Sequence, residues 1–592
     1  MADQLLKLPS GTQDYRELVT EHSYYVDKTS FLKTTFVKDP SRVLLITRPR
    51  RFGKSLTLSM FSYFLGLNYE NPDDLSLHYE LFKDRDVLKD KEFCEQFMGK
   101  FPVIFISFKE AFGENFEIAY QRTANLIYET ALKYKFLQES PKLLDEEKED
   151  YKELLDKKTL FLTSSVAILS SSLKKLTNML TKHFGRKCIL LVDEYDVPLA
   201  KASLKGYYDD MRDLMSAMYS AVLKDNDAAI YKAVVTGCLR VAKESIFTGV
   251  NNFKVNSIFT DEDLLAELIG FTDNETKDLL DYFNLSEFKS LVKENYDGYN
   301  FYHHEIYCSW DVVGFCQNVL SKNDRSKISA KSYWIGSSSN DIIKEFLGFI
   351  STEDADKMQD LVDGKAVSQF VTENMNHEDL KKNKKAQDFW SLLAYTGYLT
   401  LSKESSFDIE DENVDLVIPN KSILKCFKQN ILDYFTNDAN QIAKASEITK
   451  AIFNADVAML QNSLDVLLRR YISIRDFSNN QPKEAYYQGF LNGLFSSQGD
   501  NLVNYASNHE QGDGYPDITF KSQNGRIGVV IEIKQSNDIK DSEKLALEAI
   551  DQIENKKYYQ DFMYQNLVTN IYCYGICFTK KSCTVAFKDI KK

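Results

Sequence analysis

Residues 44–64 read LLITRPRRFGKSLTLSMFSYF. The run 43–47 (VLLIT) is short, apolar and β-branched, which predicts a buried strand. A basic, proline-containing loop follows. From Lys54 onward Leu56, Met60, Phe61 and Phe64 recur at helical spacing. Strand, loop and helix form the setting a phosphate loop requires. Gly53, Lys54 and Ser55 satisfy the end of the common pattern G-x-x-x-x-G-K-[ST], but Arg48 stands at its first glycine. A side chain at 48 restricts the loop backbone, and Pro49 fixes it further.

The residue types explain the chemistry expected there. Lys54 can neutralise β- and γ-phosphates, and Ser55 can ligate Mg²⁺. The helix start offers backbone N–H groups and a positive dipole end. The candidate nucleotide contacts are Arg50, Arg51, Phe52, Gly53, Lys54, Ser55 and Leu56. Arg50 and Arg51 either add charge toward phosphates or bind acidic partners.

Outward from this stretch, residues 102–108 (PVIFISF), 188–192 (CILLV) and 230–236 (IYKAVVT) read as further buried strands with helical patterns between them. That alternation predicts an α/β domain with a largely parallel sheet. Such sheets place ligands at the C-terminal ends of their strands. Asp193 and Glu194 end the third strand in the Walker B manner. Asp193 would hold the Mg²⁺ shell, and Glu194 would polarise the attacking water. Thr236, ending the fourth strand, is a candidate γ-phosphate sensor. Arg240, further along, is a candidate phosphate contact.

The chain has 592 residues, 43% hydrophobic and 13% aromatic, which predicts about three or four domains. Its formal net charge is −14, which argues against broad, non-specific coating of nucleic acid. A local nuclease pocket that supplies its own metal ions remains compatible with that charge. Nine scattered cysteines form no CxxC pair and read as buried reduced thiols, as in a cytoplasmic protein. The N-terminal residues lack a secretory pattern, and no apolar run reaches the roughly 18–20 residues of a membrane helix. The charged segment 137–158 reads as a solvated helix.

Several stretches together resemble one family: LPSGTQDYRELVTEHSYYVDKT, RPRRFGKSL, LLVDEYDVPL, TGCLRVAKESIFTGVNNF, YDGYNF and YWIGSS. The chain resembles the bacterial AAA-ATPase-like family that usually carries a PD-(D/E)XK nuclease domain at its C-terminus. That family itself writes the loop RPRRFGKS, so Arg48 is a family feature. The resemblance implies ATP binding, with Mg²⁺ as cofactor, more firmly than rapid turnover. YYVDKT (24–29) matches the family's N-terminal motif. Its aromatics either stack on adenine, with Asp27 orienting the loop, or pack as a helix start.

Residues 275–475 read as mainly amphipathic helices, and a new pattern begins near 480. Asp517 follows Pro516, and Glu532, Ile533 and Lys534 come on a second β run. Residues i and i+2 of a strand share a face, so Glu532 and Lys534 point together toward Asp517. Asp517, Glu532 and the Ile533 carbonyl make an oxygen-rich site suited to Mg²⁺. Lys534 would hold or help deprotonate water. Glu484 matches the first acidic position of such nucleases and Gln552 their glutamine motif, as the resemblance implies. Tyr487 is a candidate phosphate contact. His509 and the strand cysteines Cys573, Cys577 and Cys583 read as structural.

The expected organisation is a P-loop ATPase domain (1–275), a helical connecting region (276–478) and a restriction-endonuclease-like α+β domain (479–592). Two functions fit. One is an ATP-controlled, metal-dependent nuclease acting on DNA or RNA, with homo-oligomers allowed. The other is a nucleotide-controlled binding protein whose nuclease-like fold serves as a recognition platform.

Overall fold

The computed structural model describes residues 6–9, 11–224, 226–239, 246–247, 250–260, 263–301, 303–325, 328–333, 352–371, 386–404, 413–427, 439–471, 483–496, 502–507, 514–536, 538–579 and 582–592. Arg240 and His509 lie outside these residues, as does most of YWIGSS. The chain divides into two compact units. One comprises residues 1–343 and 366–426, the other 344–365 and 427–592.

The first unit is built on a five-stranded parallel sheet. Its strands are β1 (Val43–Thr47), β2 (Val103–Ser107), β3 (Cys188–Asp193), β4 (Ile230–Gly237) and β5 (Phe253–Asn256), ordered β2-β3-β4-β1-β5. β1 and β3 are buried along their whole length, as their unbroken apolar runs require. β4 lies between them, so its C-terminal Thr236 falls between the phosphate-loop strand and the strand ending in Asp193. Helices Phe116–Leu132, Val166–Phe184 and Tyr208–Leu223 bury Tyr120, Ile127, Leu173, Leu176, Met211 and Met218 in the core over this sheet. The charged run contains a helix, Asp145–Leu155, which buries Tyr151 and Leu154 and leaves its carboxylates largely outside.

The middle of the chain is mostly helical. It also holds a hairpin of β6 (Tyr299–Phe301) and β7 (His304–Ile306), and an antiparallel sheet of β8 (Val367–Phe370), β10 (Asn413–Val417) and β9 (Thr400–Leu401).

The second unit carries a mixed sheet, β11 (Leu502–Ser507), β12 (Ile518–Ser522), β13 (Ile527–Ser536), β14 (Asn570–Thr579) and β15 (Ser582–Lys591), in that order. Only β13 and β14 run parallel. The helix Ser542–Asn555 connects them, as parallel neighbours demand. It packs directly on the sheet. A Cβ on Gly575, the partner of Glu532 on β14, would lie 2.1 Å from the Ala546 carbonyl oxygen. Here glycine is required by close approach.

All nine cysteines are buried and free of disulfides. Among the described residues no helix is long and apolar enough to cross a membrane.

Candidate functional site

The phosphate loop turns at two left-handed residues, Arg51 (φ 70°) and Gly53 (φ 101°). Gly53 is the N-cap of the helix Lys54–Leu65, which ends at Gly66. Lys54 is buried, and its Nζ donates to the carbonyls of Arg48 and Pro49, both at 2.9 Å. Ser55 Oγ donates to Asp193 Oδ2 at 2.6 Å, and Thr236 Oγ1 donates to Asp193 Oδ1 at 2.7 Å. Ser55, Asp193 and Thr236, from three separate strand ends, thus meet. Glu194 adjoins them in a left-handed backbone (φ 51°). Burial raises its carboxyl, and the neighbouring Asp193 charge raises it further.

Arg48 resolves the missing glycine. It is 1% exposed. Its guanidinium donates to the carbonyls of Thr47, Asn256 and Leu265 and to Asn256 Oδ1. It also lies 5.0 Å from the Phe301 ring centre. A glycine's freedom has been exchanged for a buried brace.

The other loop residues divide. Arg50 sits among Cys238, Asp196 and Glu194; burial opposes its charge, but these neighbours outweigh it and raise the guanidinium. Arg51 turns elsewhere: it stacks over Trp310 at 4.5 Å and donates to the Tyr333 carbonyl at 3.1 Å. Phe52 is a core residue, edge-on to Tyr299 at 4.8 Å, and its carbonyl accepts from Gly270 N–H. Leu56 is a half-buried residue of the first helical turn. The YYVDKT aromatics pack on protein rings, Tyr24 on Tyr282 and Tyr25 on Tyr15. Asp27 accepts from Thr29 and Asp86 N–H.

In the second unit, Asp517 lies one step beyond the Ile518–Ile531 pair of the β12–β13 hairpin, opposite Glu532. Asp517 Oδ2 accepts the Ile533 N–H at 2.7 Å. Glu532 is 4% exposed. Its Oε1 accepts from Gln552 Nε2, and its Oε2 is buried without a hydrogen-bond partner. Lys534 Nζ lies 3.7 Å from Glu532 Oε1 and donates to Gln552 Oε1 at 2.7 Å. Gln552 therefore bridges Lys534 and Glu532, one end of its amide on each. Glu484 is exposed in the first turn of the helix Lys483–Ser496. Its negative charge reaches both inner carboxyls and raises them.

Residues 9–247 match the family model described as predicted AAA-ATPase, and residues 482–588 match that of the PD-(D/E)XK nuclease superfamily. The chain joins an AAA-ATPase-like domain to a PD-(D/E)XK nuclease-superfamily domain. A search of curated proteins finds no match.

Electrostatics in the nuclease-superfamily domain follow from burial beside like charge. Burial, then the Asp517 charge, pushes Glu532 up to about 8, with Lys534 pulling the other way. Asp517 is also raised, chiefly by burial, while the Ile533 N–H and Lys534 oppose. Among the described residues no group of three or more His, Cys, Asp and Glu is gathered as a metal cage. Two carboxylates with one open oxygen nevertheless suit a hydrated divalent cation, which keeps several waters. Tyr487, a candidate phosphate contact from the sequence, instead stacks on Phe578 at 4.4 Å, with its ring buried.

Two supports escape a reading of the sequence alone. Gln488 Nε2 donates to the Asp517 carbonyl at 3.0 Å and to Ser507 Oγ at 3.2 Å. Its signal was its spacing, one turn after Glu484 on the same helix face. In the ATPase-like domain, Asp196 Oδ2 accepts the N–H groups of Cys238 and Leu239, and Tyr195 OH donates to the Leu239 carbonyl. The segment after the Walker B pair thus grips the turn after Thr236. Gly237 has no room for a side chain there, since a Cβ would lie 2.6 Å from Asp196 Oδ1.

Proposed function

We propose that this protein binds and slowly hydrolyses ATP in its ATPase-like domain, and cleaves phosphodiester bonds of DNA or RNA in its nuclease-superfamily domain. The observation that carries the second half is the buried, unpartnered Glu532 Oε2 beside Asp517, with Lys534 held on Glu532 by Gln552. Asp517, Glu532 and the Ile533 carbonyl would hold Mg²⁺, which when bound activates water and offsets phosphate charge. Lys534 orients the attacking water and balances charge on the phosphate. Gln552, bonded to both, fixes the Lys534 ammonium beside the Glu532 carboxylate. Glu484, at the rim, completes the acidic set.

In the ATPase-like domain Lys54 would exchange its bonds to the Arg48 and Pro49 carbonyls for ATP phosphates. Ser55 and Asp193 would hold the Mg²⁺ that accompanies ATP, and Glu194 would polarise the attacking water. Arg50 is the loop arginine positioned for the phosphates. Residues 1–275, 276–478 and 479–592 are assigned to the ATPase, connecting and nuclease parts.

The test is nuclease activity of the full chain on labelled single- and double-stranded DNA and RNA, with Mg²⁺ or Mn²⁺, with and without ATP. Cutting should need metal and be lost in Glu532→Ala and Lys534→Ala with folding intact. Lys54→Ala should abolish ATP binding and any ATP effect on cutting. A wild-type protein that cuts nothing under any of these conditions removes the nuclease reading and leaves the nucleotide-controlled binding protein.

A further inference from the structure

The segment that leads into Asp517 is built to present one aromatic ring. Tyr515 is 59% exposed, although the residues on either side of it are fixed. Pro516 is buried, and a residue before proline is held to extended backbone. On the other side, Gly514 lies against Tyr558: a Cβ there would be 3.0 Å from the ring and 3.1 Å from its hydroxyl. Tyr558 OH in turn accepts Gln552 Nε2 at 3.4 Å. The backbone that carries Tyr515 therefore rests on the same side-chain network that sets Glu532 and Lys534.

Tyr515 stands two residues before Asp517, and two residues of chain span at most about 7 Å, so its ring is tethered close to that carboxylate. Lys556 and Lys557 are exposed and immediately precede Tyr558, the residue on which Gly514 rests. Lone exposed aromatics are ordinary on protein surfaces. This one differs in standing two residues from a candidate metal ligand, on a backbone braced from both sides.

We propose that Tyr515 is a stacking platform for a nucleobase of the substrate, with Lys556 and Lys557 steering the adjoining phosphates, and that the preferred substrate is an unpaired strand. The inference rests on the nuclease reading above. Every base has a π-face, so a single tyrosine on an acidic protein gives grip without sequence preference. In a duplex those faces are covered by neighbouring base pairs, so the platform is available only to single-stranded or locally opened substrate.

The experiment measures binding by the full-length protein, with Ca²⁺ replacing Mg²⁺ to prevent cutting. The probes are short oligonucleotides, DNA and RNA, carrying a fluorescent adenine analogue, each single-stranded and as a duplex. Stacking quenches the analogue on binding. Tyr515→Ala should weaken single-strand binding about fivefold or more and remove the quench, while Tyr515→Phe retains both. Duplex binding should change less than twofold, since its bases offer no face. Equal affinity of wild type and Tyr515→Ala for single strands overturns the inference, as does an equal loss on both probes.

Cleavage assays run beside it separate the two claims. Metal-dependent cutting with no Tyr515 effect on binding leaves the nuclease reading and removes the platform. A Tyr515-dependent quench without cutting supports the platform and removes the hydrolytic reading. Wild type that binds neither probe removes both.

Discussion

Metal binding at Glu532 should release a proton, and the number released is set by burial. Glu532 is 4% exposed and faces Asp517; burial, then that neighbouring charge, pushes its carboxyl up to about 8. At pH 7 about nine-tenths of such carboxyls carry a proton, and a divalent cation needs the ionised form. Binding should therefore release about one proton per Mn²⁺ at pH 7, less than half as much at pH 9 and, below pH 8, weaken about tenfold per unit of acidification. The sign for stability runs in step. The folded, metal-free state retains a proton that the unfolded chain gives up near 4.5, so this carboxyl's contribution to stability is lost as pH rises from about 4.5 through 8. Isothermal titration in buffers of different ionisation enthalpy measures the released proton directly. Glu532→Gln should bind no Mn²⁺ and release none. Wild-type binding whose apparent enthalpy is the same in every buffer at pH 7 would refute the assignment of a protonated, metal-ligating Glu532.

Three further outcomes follow from contacts elsewhere. Arg48→Gly restores the common phosphate-loop glycine yet should destabilise the ATPase-like domain by roughly 3 kcal/mol, because four buried acceptors lose a charged donor; thermal unfolding monitors it, and a more stable variant contradicts the brace. Gln488→Ala should lower kcat of cleavage about tenfold with little change in KM, because Asp517 loses a backbone support rather than a substrate contact; a change in KM alone argues against it. Gly575→Ala should cost about 2 kcal/mol or more in the second unit, because its methyl meets the Ala546 carbonyl at 2.1 Å; denaturant unfolding with no shift in midpoint would show that the helix does not sit where described.

The strands carrying the two constellations were legible because their apolar runs are continuous and end in polar residues. Val43–Thr47 and Cys188–Asp193 are buried throughout, so nothing local competes with the strand signal. β5 and β11 were not legible. Phe253–Asn256 is four residues with a half-buried edge, and Leu502–Ser507 alternates weakly among polar residues. Placements that follow from strand register were legible: Asp517 opposite Glu532, and Lys534 two along the same strand. Those of residues whose partners lie far along the chain were not. Arg51 is fixed by Trp310, and Phe52 by Tyr299, each well over two hundred residues away. Nothing in RPRRFGKS distinguishes an arginine aimed at phosphate from one aimed at a tryptophan.

The two sites differ in how their acidic groups are satisfied, and this bears on the order in which they would load. Asp193 already has both oxygens occupied, by Ser55 and Thr236 hydroxyls at 2.6 and 2.7 Å. A cation there must displace a good hydrogen bond, so its incentive to arrive comes with the phosphates of ATP, which also offer Lys54 a partner better than two carbonyls. Glu532 has no such substitute for Oε2. A buried carboxyl in that condition either keeps a proton or takes a cation, and both inner carboxyls are raised accordingly. The nuclease-superfamily site would therefore load metal on its own, governed by pH and cation concentration, whereas the ATPase-like site would load metal only as the nucleotide complex. Any control of cutting by ATP must then act after the metal is in place, on access of the strand or on the setting of Lys534 and Gln552, rather than by supplying the ion.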